Sequence, residues 1–198
     1  MIKTDINTPL RIVTATSLYD GHDATINIMR RIMQDKGAEV IHLGHNRGAK
    51  EIVSTALEED AGAIAITSYQ GGHNEYLKYI YDMLKENDAA EIKIFGGGGG
   101  VITPAEIKEL EAYGICKIFS PADGAKMGLE GMIDFIISKI PPANFEIDKL
   151  AYYLQNIDRC LPRAITLVEY LITLDKWSNE YENIFNQQLD KCKWAGKV

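Results

Sequence analysis

The chain has 198 residues, 46% of them apolar, which suffices for one sizeable core and an appendage. Its net charge is -7, and no Lys/Arg cluster with interleaved aromatics occurs, so nucleic acid is not an expected partner. The first ten residues, MIKTDINTPL, lack the apolar run of a signal peptide, and no stretch approaches the roughly 20 apolar residues of a membrane span, so a cytoplasmic protein with no membrane partner is expected.

The first β-rich run is LRIVTAT, residues 10–16. After it come Asp20, Gly21, His22, Asp23, Ala24 and Thr25, which set a histidine and a carboxylate two residues apart in the turn before a helical period carried by Ile26, Met29 and Met33. A histidine that coordinates a metal through one ring nitrogen usually gives the other N–H to a carboxylate, which fixes its tautomer. Asp20 is a candidate for that role toward His22.

The second run is AEVIHLG, residues 38–44, with His42 and His45 on alternate faces, so a shared metal site is not expected there. His45, Asn46 and Arg47 read as exposed loop. A helix carried by Ile52, Val53, Ala56 and Leu57 follows, then AGAIAITS at 61–68, whose end opens into Ser68-Tyr69-Gln70-Gly71-Gly72-His73. His73 either caps the next helix or reaches a ligand slot. That helix has Leu77, Ile80, Tyr81 and Leu84 on one face. The fourth run, EIKIFGG at 91–97, enters the glycine stretch Gly96 to Gly100, more than a turn requires. Ile107 and Leu110 mark the next helix. The fifth run, ICKIFSP at 115–121, leads to Met132, Ile133, Ile136 and Ile137.

Strands alternating with helices imply parallel pairing and right-handed crossovers. The economical solution is an α/β, flavodoxin-like, doubly wound sheet of five parallel strands in the order 2-1-3-4-5, with ligands at the carboxyl ends of the strands. Pro141-Pro142 ends this unit, because two prolines cannot continue a helix. The expected domains are therefore 1–140 and a helical extension or linker, 141–198, restarted at Pro162. The apolar faces of that extension dock on the α/β domain, another copy in a homo-oligomer, or a separate partner. Cys116, Cys160 and Cys192 are odd in number and lack metal-type spacing, so they read as reduced thiols.

The block DGHDAT at 20–25 resembles the D-x-H-x-x-G signature of the cobalamin-binding domain of adenosylcobalamin-dependent acyl-CoA mutases, with Thr25 where the family has its closing glycine. Ser68-Tyr69-Gln70 resembles the family's S-x-L, with Gln70 in place of leucine. The glycine run matches its paired glycines, and Phe119-Ser120-Pro121-Ala122-Asp123 matches a segment closing the pocket, with Phe119 where tyrosine is frequent. The segments SLYDGHDATINIMRRI, HLGHNRGAKEIV and SYQGGHNEYLKYIYDML are most similar to the fused isobutyryl-CoA mutases, and the likeness covers about residues 10–140. It implies a base-off cobalamin, adenosylcobalamin in a mutase, with His22 as lower cobalt ligand and Asp20 as its carboxylate partner. It also implies cofactor contacts at Gly21, Asp23, Ala24 and Thr25, at Ser68, Gln70, Gly71 and Gly72, at Gly97, Gly98 and Gly99, and at Phe119, Ser120, Pro121 and Asp123. Ser68 would hydrogen-bond the buried base. The substrate, an acyl-CoA of isobutyryl or methylmalonyl type, would sit on a barrel domain or subunit, with a GTPase chaperone domain as a further partner. The chain is then a fragment of such an enzyme or a separate small subunit, with no catalytic residue of its own.

Each motif also has a plainer reading. Asp20 with His22 is compatible with a helix-capping turn, Ser68 with a cap, and the glycines with a flexible loop. Their coincidence at the ends of strands one, three and four favours the cobalamin reading. No G-x-x-x-x-G-K-[ST] occurs, and Val101 stands where G-x-G-x-x-G needs its last glycine. A corrinoid methyl-transfer protein would carry a helical module before its first strand, where about nine residues stand here. A receiver-like signalling module would need an aspartate after its third strand, where Thr67-Ser68-Tyr69 stands. A stand-alone cobalamin carrier or sensor remains open.

Overall fold

The computed structural model describes residues 10–140 and, beyond them, helical positions at 162, 164–166, 168–169, 171–172, 179, 182–183 and 186–187. The chain divides into two compact units, Pro9–Pro142, and Met1–Thr8 with Ala143–Val198. In the second unit Ala164, Thr166 and Leu171 are buried. Pro141-Pro142, Cys160 and Cys192 lie outside the described residues.

In the first unit the strands are β1 (Arg11–Ser17), β2 (Glu39–Arg47), β3 (Ala63–Thr67), β4 (Lys93–Gly97) and β5 (Lys117–Phe119). The helices are α1 (Ala24–Asp35), α2 (Ala49–Glu58), α3 (His73–Glu86), α4 (Pro104–Tyr113) and α5 (Pro121–Lys139). All the strand pairs are parallel, and the order is β2-β1-β3-β4-β5, as the alternation of elements predicts. β1 and β3 are buried on both faces, hence their runs of β-branched and small residues.

Period-two alternation deals neighbouring residues to opposite cores. Val13, Ile64 and Ile66 pack with Ile52, Ile80 and Leu110 from α2, α3 and α4. Ile12, Ala63, Ala65 and Phe95 pack with Met33, Ile133 and Ile136 from α1 and α5. The helices read from 3.6-residue spacing bury the residues expected of them: Ile26, Met29 and Met33 in α1, and Leu77, Ile80 and Leu84 in α3.

Two elements depart from the sequence expectation. His45, Asn46 and Arg47 belong to β2, which continues to Arg47 instead of ending at Gly44. Its pairing with β1 shifts register after Thr14 and again after Ala15, and Gly44 (φ 87°) and Asn46 (φ 57°) take the left-handed conformation there. An irregular ladder of this kind carries no simple alternation to read. β5 is short because Ser120 already caps α5, with Pro121 as its first residue. Apolar periodicity marks only the later part of that helix, since Gly124 and Gly128 lie in its first half and Gly128 (φ 66°, ψ 175°) kinks it.

Candidate functional site

β1 ends at Ser17, and the six residues before α1 form the loop that carries Asp20 and His22. Asp20 is only 3% exposed, an unusual place for a carboxylate without partners. Its Oδ1 accepts the His22 amide at 2.9 Å and His22 Nδ1 at 2.7 Å, and its Oδ2 accepts the amide of Tyr69 at the end of β3. Burial pushes the Asp20 carboxyl up, but the Tyr69 and His22 amides and the His22 ring together outweigh it and hold it below the ordinary value. The group is therefore an anion and an acceptor, and Nδ1 of His22 carries the proton between them. The His22 side chain is 77% exposed, so its Nε2 edge faces outward. Asp20 does not cap α1. Asp23 occupies that position, with no side-chain cap.

The loop is pinned from β2 as well. Asn46 Oδ1 accepts the Tyr19 amide at 2.8 Å, and the Asn46 amide donates to the Asp20 carbonyl at 3.1 Å. Tyr19 (φ 63°) and Asn46 (φ 57°) are both left-handed, so this clasp holds two uncommon backbone conformations beside the Asp20–His22 pair.

Beneath the loop an apolar cavity of about 200 Å³, open to solvent at its mouth, runs along the β3–β4–β5 edge. Ile26 and Met29 from α1, Phe95 from β4 and Met132 and Ile136 from α5 form much of its wall. Gly96 to Gly99 form its floor. Gly98 permits no side chain, and Gly96 admits one only if Ile118 gives way. A Cβ on Gly98 would lie 1.8 Å from the Ser68 carbonyl oxygen, and one on Gly96 would lie 2.7 Å from Ile118 Cδ1.

The residues singled out from sequence distribute unevenly around this space. Thr25, Gly97, Gly98, Gly99, Phe119, Ser120 and Pro121 line it. Ser68 does not. It is buried behind the wall, where its amide donates to Gly97 and its Oγ accepts the Ser17 hydroxyl at 2.8 Å. Gln70, Gly71 and Gly72 also lie outside the lining. Gln70 Oε1 accepts the Gly72 amide at 2.8 Å and so shapes the turn into α3. Asp123 joins Ser120 in a reciprocal capping box at the start of α5. The Ser120 hydroxyl is the main cause of the lowered Asp123 pKa.

His73 is buried, with Nδ1 3.2 Å from the Gln70 carbonyl and Nε2 3.4 Å from Glu106, so it closes the α3 entry and does not line the cavity. His42 meets Thr14 Oγ1 at 2.9 Å, and burial, followed by the charge of Arg30, lowers its pKa. Among the described residues no cluster of three His, Cys, Asp or Glu side chains suits a metal ion.

Sequence reasoning passed over Tyr69. It lines the cavity, bonds the Thr25 hydroxyl at 3.2 Å and sets its ring 5.6 Å from that of His22. Its only signal was its place as the variable residue of the serine motif. Met132 and Ile136 read as core and serve also as cavity wall.

Residues 10–130, which carry both the loop and the cavity, match the B12 binding domain family. The chain belongs to that family. This B12-binding domain is 55% identical over 163 residues to the fused isobutyryl-CoA mutase of Geobacillus kaustophilus, a match covering 81% of this chain and 15% of that one. It is also 31% identical over 91 residues to the 2-hydroxyisobutanoyl-CoA mutase small subunit of Aquincola tertiaricarbonis, covering 46% of this chain and 67% of that one. A cobalamin-binding protein from Desulfitobacterium hafniense shares the fold at a TM-score of 0.56 and 21% identity, over 67% of this chain and 60% of that one. The B12-binding domain thus spans about 15% of the length of the fused mutase. Among the described residues no helix is long and apolar enough to cross a membrane.

Proposed function

We propose that this B12-binding domain holds adenosylcobalamin for a mutase that rearranges the carbon skeleton of an acyl-CoA of isobutyryl or methylmalonyl type, and that it does so with the cofactor's own base displaced and His22 as the lower cobalt ligand. The observation that carries the reading is the 2.7 Å contact between His22 Nδ1 and a buried, ionised Asp20. With the proton fixed on Nδ1, Nε2 is left as the basic nitrogen, on a ring 77% exposed above the cavity. An imidazole so backed is a stronger donor than a free one.

The donor set and the cradle both fit such a cofactor. Gly96 to Gly99 offer bare backbone along the cavity, and the apolar wall suits the displaced base. Ser68 is tied to that floor by the bond from its amide to the Gly97 carbonyl, and we assign its hydroxyl the hydrogen bond to a base nitrogen. Gly21 and Asp23 sit in the His22 loop and Ala24 opens α1 directly after it, so the three would meet the corrin beside His22. Gln70, Gly71 and Gly72 act by holding the Ser68–Tyr69 turn, and Asp123 by capping the helix that begins at Ser120.

When bound, adenosylcobalamin supplies homolysis of a cobalt–carbon bond, the step from which radical rearrangement starts. The chain's own residues anchor: His22 binds, Asp20 orients, and the Asn46 clasp keeps the loop in place. The acyl-CoA would be held by a barrel domain or subunit, a reading supported by likeness to a fused mutase and to a mutase small subunit. A GTPase chaperone domain is a further proposed partner, and the site of action is the cytoplasm.

The test is a titration of the purified protein with adenosylcobalamin and hydroxocobalamin, followed by visible absorbance, beside His22→Ala. The expected result is a base-off, histidine-on spectrum that His22→Ala abolishes. An unchanged spectrum in the variant would remove His22 from the cobalt, and no spectral change at all would remove the cofactor.

A further inference from the structure

We infer that Tyr69 is a positioning residue for His22: it forms a strut across the segment from Asp20 to Thr25, and its ring sets the tilt at which the imidazole meets a ligand. This rests on the reading of His22 as the lower cobalt ligand. The Asp20 carboxylate holds the His22 ring at one atom, Nδ1, about which a side chain 77% exposed can still tip. Tyr69 supplies a second point of contact, with the two ring centroids 5.6 Å apart and the planes 48° from each other, inside the range of aromatic pairs. The tyrosine is itself fixed at both ends. Its amide donates to Asp20 Oδ2, and its hydroxyl meets the Thr25 hydroxyl at 3.2 Å. Along its Cε1 edge lies Gly99, a left-handed residue (φ 59°) on which a Cβ would come within 3.2 Å of the ring.

The strut gives a reason for the threonine of DGHDAT. The signature that this block resembles closes on glycine, which has no side chain to bond a neighbour, whereas Thr25 sets a hydroxyl within reach of Tyr69 from 44 positions away. Without that hydroxyl the tyrosine keeps its amide anchor, but its ring is free to turn about χ1. The segment that carries His22 is thus spanned, from its first residue to its last, by one residue from the end of β3. Asp20 fixes the proton on the imidazole, and Tyr69 fixes its tilt. An aromatic pair biases an equilibrium by about twofold to tenfold, and the equilibrium in question is that between cofactor with His22 on cobalt and cofactor with His22 off it.

The experiment loads the full chain, as wild type, Tyr69→Leu, Tyr69→Phe, Thr25→Ala and Thr25→Ser, with saturating adenosylcobalamin. Equilibrium dialysis gives the corrinoid bound per chain, and visible absorbance gives the ratio of histidine-on to histidine-off cofactor within the bound fraction. The nitrogen splitting in the electron spin resonance of the cob(II)alamin form reads the same ligation where absorbance saturates. Tyr69→Leu, which removes the ring, is expected to lower the ratio at least about twofold and to broaden the splitting. Tyr69→Phe and Thr25→Ala each cut the strut at its hydroxyl end and are expected to shift both readouts the same way by a smaller factor, while Thr25→Ser keeps the wild-type values. A merely structural role would lower the melting temperature or the corrinoid bound and leave the ratio and the splitting of the bound fraction unchanged. That result in Tyr69→Leu, or in Tyr69→Phe if the leucine variant does not fold, overturns the inference. A change in Tyr69→Phe that Thr25→Ala does not share overturns it too. A wild type that binds corrinoid without a histidine-on signal overturns the His22 ligation beneath it, and a wild type that binds none overturns the proposed function itself.

Discussion

The Asp20 carboxylate and the His22 ring form a pair divided by the protein surface: Asp20 is 3% exposed, the His22 side chain is 77% exposed, and Nδ1 meets Oδ1 at 2.7 Å. The Tyr69 amide takes the other oxygen of Asp20, which ties the loop after β1 to the end of β3. An exposed histidine with a buried anchor is oriented without being enclosed, as a residue must be if it is to meet a ligand from outside.

Asp20→Asn retains one carbonyl acceptor but turns an NH2 group toward an N–H donor on the other side. It is expected to lower stability by about 1–3 kcal/mol at neutral pH, by urea denaturation. Because the folded carboxyl titrates below its ordinary 3.8, its contribution is complete above that value and is lost as pH falls through the lower folded value. The gap between wild type and Asp20→Asn therefore closes in strong acid. A gap that widened there would contradict the ionised assignment.

His22→Ala removes an exposed ring and leaves Asp20 with two backbone donors. Its stability is expected within about 1 kcal/mol of wild type, so that loss of the histidine-on spectrum reads as lost ligation. Thermal unfolding beside the titration separates the two effects.

Gly98→Ala drives a Cβ to 1.8 Å from the Ser68 carbonyl, a backbone atom that no rotamer change can move aside. A loss of about 3 kcal/mol or more, or failure to fold, is expected. Gly100→Ala meets nothing within 4 Å and should stay within about 0.5 kcal/mol of wild type in the same melting experiment. Similar melting of the two variants would show that the glycine run is a loose loop.

Ser17 and Ser68 are both buried, and the Ser17 hydroxyl donates to Ser68 at 2.8 Å. Each alanine variant is expected to cost about 1–2 kcal/mol, and the double variant less than the sum, since the second substitution removes a group already without its partner. A denaturation cycle over the four proteins measures the coupling. Strict additivity would deny the bond.

Ser120→Ala breaks the α5 capping box and should cost about 1 kcal/mol. Asp123→Asn keeps the shape of the group but weakens the bonds to Ser120, and Asp123 lies outside the cavity wall. Cobalamin affinity in Asp123→Asn is expected to stay within about twofold of wild type while the melting temperature falls. A large affinity loss with unchanged melting would place Asp123 on the ligand after all.

Much of the fold was legible because its causes are local. Ile26, Met29 and Met33 lie on one helical face whatever they pack against, and AIAIT at 63–67 can be buried on both sides only inside a parallel sheet. The far end of β2 was not legible, since a strand that holds left-handed Gly44 and Asn46 pairs through irregular register and carries no alternation. The start of α5 is hidden because Gly124 and Gly128 dilute the apolar pattern behind its cap residues Ser120, Pro121 and Asp123.

The sequence by itself determined the order of elements, the doubly wound sheet and the loop that carries Asp20 and His22, because periodicity, turn chemistry and motif spacing are properties of neighbouring residues. Only the tertiary structure decided which of the marked residues share one space. It set Tyr69 between His22 and the glycine floor, placed Ser68 behind the wall and Gln70 in the turn before α3, and gave each wall hydroxyl a partner. Those outcomes turn on contacts between residues dozens of positions apart, Asp20 with Tyr69, Thr25 with Tyr69 and Gly98 with Ser68, and it is the packing of α1 and α5 on the sheet edge that gives the cavity its shape.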